Sequence, residues 1–216
     1  MKLEDQEWVI NPNTGNKINM KKQLTEMQLA LIYIDSNFPF FSSLVRRLKF
    51  MWSFQPPTAC TDGTRMLFNP EFMSKQTIRM KAFVIMHEVM HCALDHLARG
   101  KNHDHTKSNI AADYEVNGLL VSDNVVSADD MKPYYYSPKY ERIAYEAIYA
   151  QCENGTPPPP QQGGQDGSGN EGDKNQNQNN NGNGQGNADN TPKSPDWVSG
   201  WNKAMEDYKN GKIKLT

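Results

Sequence analysis

His87-Glu88-Val89-Met90-His91 places two imidazoles four residues apart, with a carboxylate directly after the first. On an α-helix that spacing turns the two imidazoles only about 40° apart, so both can reach one tetrahedral cation. Glu88 then points beside the cation, where it can polarise a water and take its proton. A five-residue pattern needs support from its surroundings, and it has it. From Ala82 to Leu94 every residue is apolar or cysteine, apart from His87, Glu88 and His91. A helix that is apolar on all sides is a buried helix. Two imidazoles and a carboxylate buried without partners would be costly, and a bound cation with its water removes that penalty. Core hydrogen bonds would satisfy the two histidines equally well, but they leave Glu88 unexplained.

Catalytic zinc usually takes a third protein ligand and keeps its fourth position for water. All five histidines of the chain lie between residues 87 and 105. His96, five residues past His91, is about 140° away around the helix and cannot share the ligand face while that helix continues. The chain also lacks the HExxHxxGxxH spacing that would bring in a third histidine. His103 and His105 flank Asp104 in a polar stretch and read as solvated. Cys92 reads as a buried, inert thiol. Further on, Asp113 sits among Ile110, Tyr114, Asn117, Leu120 and Val121 at helical neighbour spacings, so it interrupts an apolar stripe. Glu115 is directed roughly 160° away, towards Ala111, Gly118 and Ser122. An inward acid needs a partner and an outward one does not, so Asp113 is the expected third ligand. Asn117, one turn on, is placed to hold the other nitrogen of a ligand histidine.

These residues need elements to position them. Leu24–Ile34 and Phe41–Leu48 read as helices, and the composition of Phe50–Phe54 suits a strand. Asp62-Gly63 is a turn signal between Thr58–Thr61 and Arg65–Phe68, which predicts a β-hairpin ended by Asn69-Pro70. Ser74 is a candidate N-cap for a helix running to about Arg99, with Gly100 as terminator. Ser108 is a second candidate N-cap, for a helix over 109–121. Pro138 opens a last helix over 139–152. The fold class is α+β, helix-dominated, with a small sheet or hairpin beside the HExxH helix.

Composition divides the chain. Residues 1–153 look globular. Between Asn154 and Ser194 there is no Val, Ile, Leu, Met, Phe, Tyr or Trp. Such a Pro/Gly/Asn/Gln-rich stretch cannot offset the entropy of ordering and is expected to be a disordered linker, spanning roughly 35 Å as a flexible coil. Residues 195–216 follow, where Trp197, Trp201, Met205 and Tyr208 recur at amphipathic helical spacing. That helix is too short to be stable alone and needs a surface, its own core or a partner protein.

With 23 basic and 25 acidic residues, the net charge of −2 gives no electrostatic reason to expect a nucleic acid or an anionic membrane. No stretch approaches the roughly 18 apolar residues of a membrane span, and the first residues lack the apolar core of a secretory signal. Cys60, Cys92 and Cys152 are three, widely spaced, with no CxxC pair, which suits a reducing compartment. A cytoplasmic location is the expectation.

Three blocks together make the sequence familiar. They are Cys60-Thr61-Asp62-Gly63 with Phe68-Asn69-Pro70-Glu71-Phe72, the run His87 to Arg99, and Asn109 to Asn117. In this order and spacing they resemble a metallopeptidase domain family of bacteria and their phages, often found N-terminal to a von Willebrand factor A-like domain. The resemblance covers about residues 20–150 and extends more weakly to 196–211. It implies a zincin-like fold, one Zn2+ site and action on a peptide or protein substrate. His87 and His91 match the family's metal-binding histidines, Glu88 its catalytic glutamate and Asp113 its downstream acidic position. After Thr216 no residues remain for a von Willebrand-type domain, whose work is expected to be absent or supplied by another protein.

The reaction so implied is hydrolysis of a peptide bond by zinc-activated water, with Glu88 as general base. A tyrosine among Tyr134, Tyr135, Tyr136 and Tyr140 is a candidate donor to the oxyanion. The alternative is a non-hydrolytic zinc-binding adaptor working through its linker and C-terminal helix; an intact Glu88 argues against it. A DNA-associated HExxH protease is disfavoured by the charge and the missing zinc ribbon.

Overall fold

The structure, a computed structural model, describes residues 2–132 and 134–153. The expected linker (154–194) and C-terminal helix (195–216) lie outside the described residues. The architecture is α+β and helix-dominated, with two small sheets.

A hairpin that the sequence reading did not anticipate comes first. β1 (Trp8–Ile10) pairs antiparallel with β2 (Lys17–Asn19). Each strand has only three residues, too few for alternation to register as a pattern. The intervening turn is tied to the core by Glu71, whose carboxylate accepts from Thr14 Oγ1 at 2.6 Å, Asn16 Nδ2 at 2.8 Å and Asn11 Nδ2 at 2.5 Å.

Asn19 ends β2 and caps α1 (Met20–Asn37), its side chain accepting from the Lys22 amide. Met20, Gln23, Met27, Ala30 and Ile34 form the buried stripe of α1, at spacings of three and four. α2 (Pro39–Val45) follows with proline at its first turn. β3 (Lys49–Trp52) confirms the strand expected near 50–54 and pairs in parallel with β5 (Arg65–Phe68). β5 pairs antiparallel with β4 (Ala59–Thr61), giving the order β3-β5-β4. The β4–β5 hairpin turns at Asp62-Gly63 as expected. Asp62 Oδ1 accepts from the Thr64 and Arg65 amides, and Gly63 takes φ +80°, which an L side chain rarely adopts.

Asn69 caps the short α3 (Pro70–Ser74). The HExxH helix, α4 (Ile78–Ala93), begins three residues later than expected. Thr77 rather than Ser74 is its N-cap, accepting from the Met80 amide, while Ser74 Oγ donates to the Glu71 carbonyl. Lys81, fully buried, donates to Glu26, Gln23 and the Met73 carbonyl, and so ties α4 to α1 and α3. α4 also ends early. Asp95 adopts the left-handed conformation (φ 56°, ψ 37°), and the chain restarts as the one-turn α5 (His96–Arg99). Asp and Asn tolerate that conformation better than most residues.

Asp104, not Ser108, caps α6 (His105–Ser122), accepting from the Lys107 amide. Pro138 opens only a 3-10 turn, Pro138–Tyr140; Arg142 at φ +57° breaks the chain direction before α7 (Tyr145–Glu153). The main core lies among α1, α2, α4 and the three-stranded sheet, and a second one between α6 and α7. Among the described residues no helix is long and apolar enough to cross a membrane.

Candidate metal centre

α4 is buried from Lys81 to Cys92 because α1, α2, β4 and α6 all pack on it. His87 and His91 leave it on the side facing α6, and Asp113 meets them from α6. The three are each about 1% exposed, and one ligand atom from each lies within 4.8 Å of the others. The separations are 2.9 Å between the two Nε2 atoms, 3.5 Å from His87 Nε2 to Asp113 Oδ1 and 3.3 Å from His91 Nε2 to the same oxygen. Ligands on a tetrahedral cation at about 2.0–2.1 Å would stand about 3.3 Å apart, so the triangle has the size that one face of such a tetrahedron needs.

The hydrogen bonds behind the histidines fix what their Nε2 atoms can offer. Asn117 Nδ2 donates to the Tyr135 carbonyl at 3.0 Å, which turns Asn117 Oδ1 towards His87 Nδ1 at 2.9 Å. His87 Nδ1 must therefore donate, which leaves Nε2 as the nitrogen able to offer a lone pair to the site. His91 Nδ1 lies 3.0 Å from His96 Nδ1, and His96 Nε2 lies 2.6 Å from Glu115 Oε2. With Glu115 accepting from His96 Nε2, His96 Nδ1 is the nitrogen left to accept from His91. The His91 Nε2 lone pair is then directed inwards too.

Asp113 completes the set. Both its oxygens are buried and neither accepts a hydrogen bond of sound geometry. Burial opposes its charge, but the two histidines outweigh that and hold its pKa below the usual value. Burial pushes His91 down to about 4, with Asp113 opposing the fall. Three electron-pair donors around one buried point, one of them an orphaned carboxylate, fit a divalent metal ion.

The family comparison agrees with the donor set. The family model described as "putative metallopeptidase domain" matches residues 22–213. The chain belongs to this family. No curated protein and no solved structure matches it.

In this family member, Glu88 is also buried. Its charge is felt by the Cys92 thiol one turn on, on the side of α4 that meets β4. Cys92 is buried as expected: burial pushes its thiol up to about 12, and its Sγ lies 3.3 Å from Thr61 Oγ1. Asn117 stands where the sequence placed it.

Three readings are corrected. His96 does lie against the site, because the helix stops at Ala93 and the left-handed Asp95 swings His96 back under His91. Glu115 does not face solvent, because α7 covers that side of α6. Burial raises the Glu115 carboxyl, but its bond with His96 and the Arg99 guanidinium 3.2 Å away outweigh that and hold it low. The only sequence signal for this pair is the crowding of histidines after residue 87. His103 is not simply solvated: its ring stacks on Tyr149, and its Nδ1 lies 2.7 Å from the Tyr145 hydroxyl. His105 is exposed, as expected.

The tyrosines divide by their contacts. Tyr134 packs on Phe83, Tyr140 on Tyr114, and the Tyr136 hydroxyl donates to Glu141. Tyr135 is half-buried, and burial together with the charge of Asp113 raises its hydroxyl.

Proposed function

We propose that this chain is a zinc-dependent peptidase of zincin-like design, cleaving a peptide or protein substrate with Glu88 as general base. The observation that carries the proposal is the convergence of His87 Nε2, His91 Nε2 and an orphaned Asp113 carboxylate on one buried point. A bound zinc ion there would acidify a water and polarise the scissile carbonyl. Glu88 takes the proton of the attacking water as its oxygen bonds to the carbonyl carbon. It then passes that proton to the amine as the C–N bond breaks. Tyr135 is the tyrosine best placed to donate to the developing oxyanion. β4 packs on α4 and ends the sheet among the described strands, which makes it the strand an extended substrate would pair with once the site opens.

One observation favours a second reading. His87, Glu88, His91 and Asp113 are all about 1% exposed, so a substrate can enter only if the cover of the site moves. A structural zinc site in an adaptor, with partners bound through residues 154–216, needs no such movement. Glu88→Gln separates the two. For a peptidase the variant keeps one zinc per chain and loses chelator-sensitive digestion of a denatured protein. Unaltered digestion by the variant, or loss of its zinc, would refute the role given to Glu88. A wild type that binds zinc but cleaves nothing would favour the adaptor.

A further inference from the structure

Behind His91 the chain builds a row of polar groups that three-ligand coordination does not require. Glu115 Oε2, His96 and His91 follow one another at 2.6 and 3.0 Å, all three residues buried. The far end is held as well. Arg99 donates to Glu115, to the Leu94 carbonyl at 2.9 Å and to both Glu146 oxygens on α7. Ionised Glu115 thus has a fixed direction and can only accept. The Tyr145 ring lies 5.5 Å from the His96 ring, closing its other side.

We propose that His96 and Glu115 are positioning residues of the metal centre, a carboxylate–histidine relay that fixes the tautomer and orientation of His91. The inference rests on the metal-binding reading above. Its physical content is directional. A cation at the site needs a bare His91 Nε2, so His91 carries its proton on Nδ1 and donates it to His96 Nδ1, while His96 Nε2 donates to Glu115. A partner on the remote nitrogen also raises the basicity of a ligand imidazole. The two ligand histidines are therefore held by different means. His87 leans on a neutral amide, Asn117, and His91 on a charge relayed through a second ring. His96 is not a ligand itself: both its nitrogens are committed, and it approaches His91 from the side away from Asp113.

The test is zinc affinity by competition with a chromogenic chelator, read together with the visible spectrum of the cobalt-substituted protein. Wild type, His96→Phe, His96→Gln and Glu115→Leu are compared, with thermal melts of the metal-free forms as a folding check. His96→Phe keeps the ring volume but has no acceptor, so it should bind zinc about ten- to a hundredfold more weakly and shift the cobalt spectrum. His96→Gln, whose Oε1 can accept the His91 proton, should recover most of the affinity. Glu115→Leu should resemble His96→Phe, and it carries the test should His96→Phe fail to fold. A purely structural role would lower the melting temperatures and leave affinity and spectrum alone. Wild-type affinity in His96→Phe and Glu115→Leu would overturn the relay while leaving the metal site standing. A wild type that takes up neither zinc nor cobalt would sink both.

Discussion

Asp113 illustrates how a single buried residue can report a ligand. A carboxylate with both oxygens buried and no hydrogen bond of sound geometry is costly in any fold. A cation converts the same arrangement into a cross-link between α4 and α6. Asp113→Ala should therefore lower zinc affinity by more than about a hundredfold, beyond the usual effect of an outer partner. The metal-free variant should nonetheless be at least as stable as the metal-free wild type, because it removes a buried charge. Chelator competition and paired melts measure the two. An Asp113→Ala protein that holds zinc as tightly as wild type would remove Asp113 from the coordination sphere.

At the scale of elements, the break at Asp95 decides which residues surround the site. α4 stops at Ala93, Asp95 takes φ 56°, and α5 brings His96 beneath His91. Asp95 is exposed, so its conformation can be tested without disturbing the core. Asp95→Gly relieves the left-handed backbone and should be nearly neutral. Asp95→Val should cost about 1–2 kcal/mol, since a β-branched side chain clashes in that region. If the break exists to aim His96, the valine variant should also bind zinc more weakly. A denaturant titration showing Asp95→Val as stable as wild type would argue that α4 runs on past Ala93.

At the largest scale, the described residues are tied together by buried polar groups as well as by their apolar core. Lys81 joins three helices, and Glu71 fastens the N-terminal hairpin to α3. Hydrogen bonds from Thr14, Asn16 and Lys75, with a further one from Asn11, hold Glu71 down to about 2, against a usual value of 4.5. Because the folded pKa is the lower one, the unfolded chain binds the proton more readily between these values. The stabilisation is therefore fully present above pH 4.5 and is lost as pH falls towards 2. Glu71→Gln should be less stable than wild type at pH 7, and the gap should close through that window. Unfolding midpoints at a series of pH values check this. A gap that stays constant down to pH 2 would show that Glu71 is not ionised in the fold.

The sequence by itself determined the residues with short-range signatures. HExxH needs only helical periodicity to aim its histidines. Asp113 was distinguished by its apolar neighbours, and the β4–β5 turn by Asp62-Gly63, because each depends on a few adjacent positions. Asn117 followed from the same helical geometry. Tertiary structure alone decided His96 and Glu115. Periodicity extrapolates a helix until something stops it, and one left-handed residue reverses the inference for everything after it. Glu115 was misread for a related reason. Its face of α6 looks polar locally, but α7, more than twenty residues on, covers it, and no local pattern records what a distant helix will bury. The parallel pairing of β3 with β5 was likewise out of reach, since register between separated strands is set by packing on a common core rather than by either strand alone.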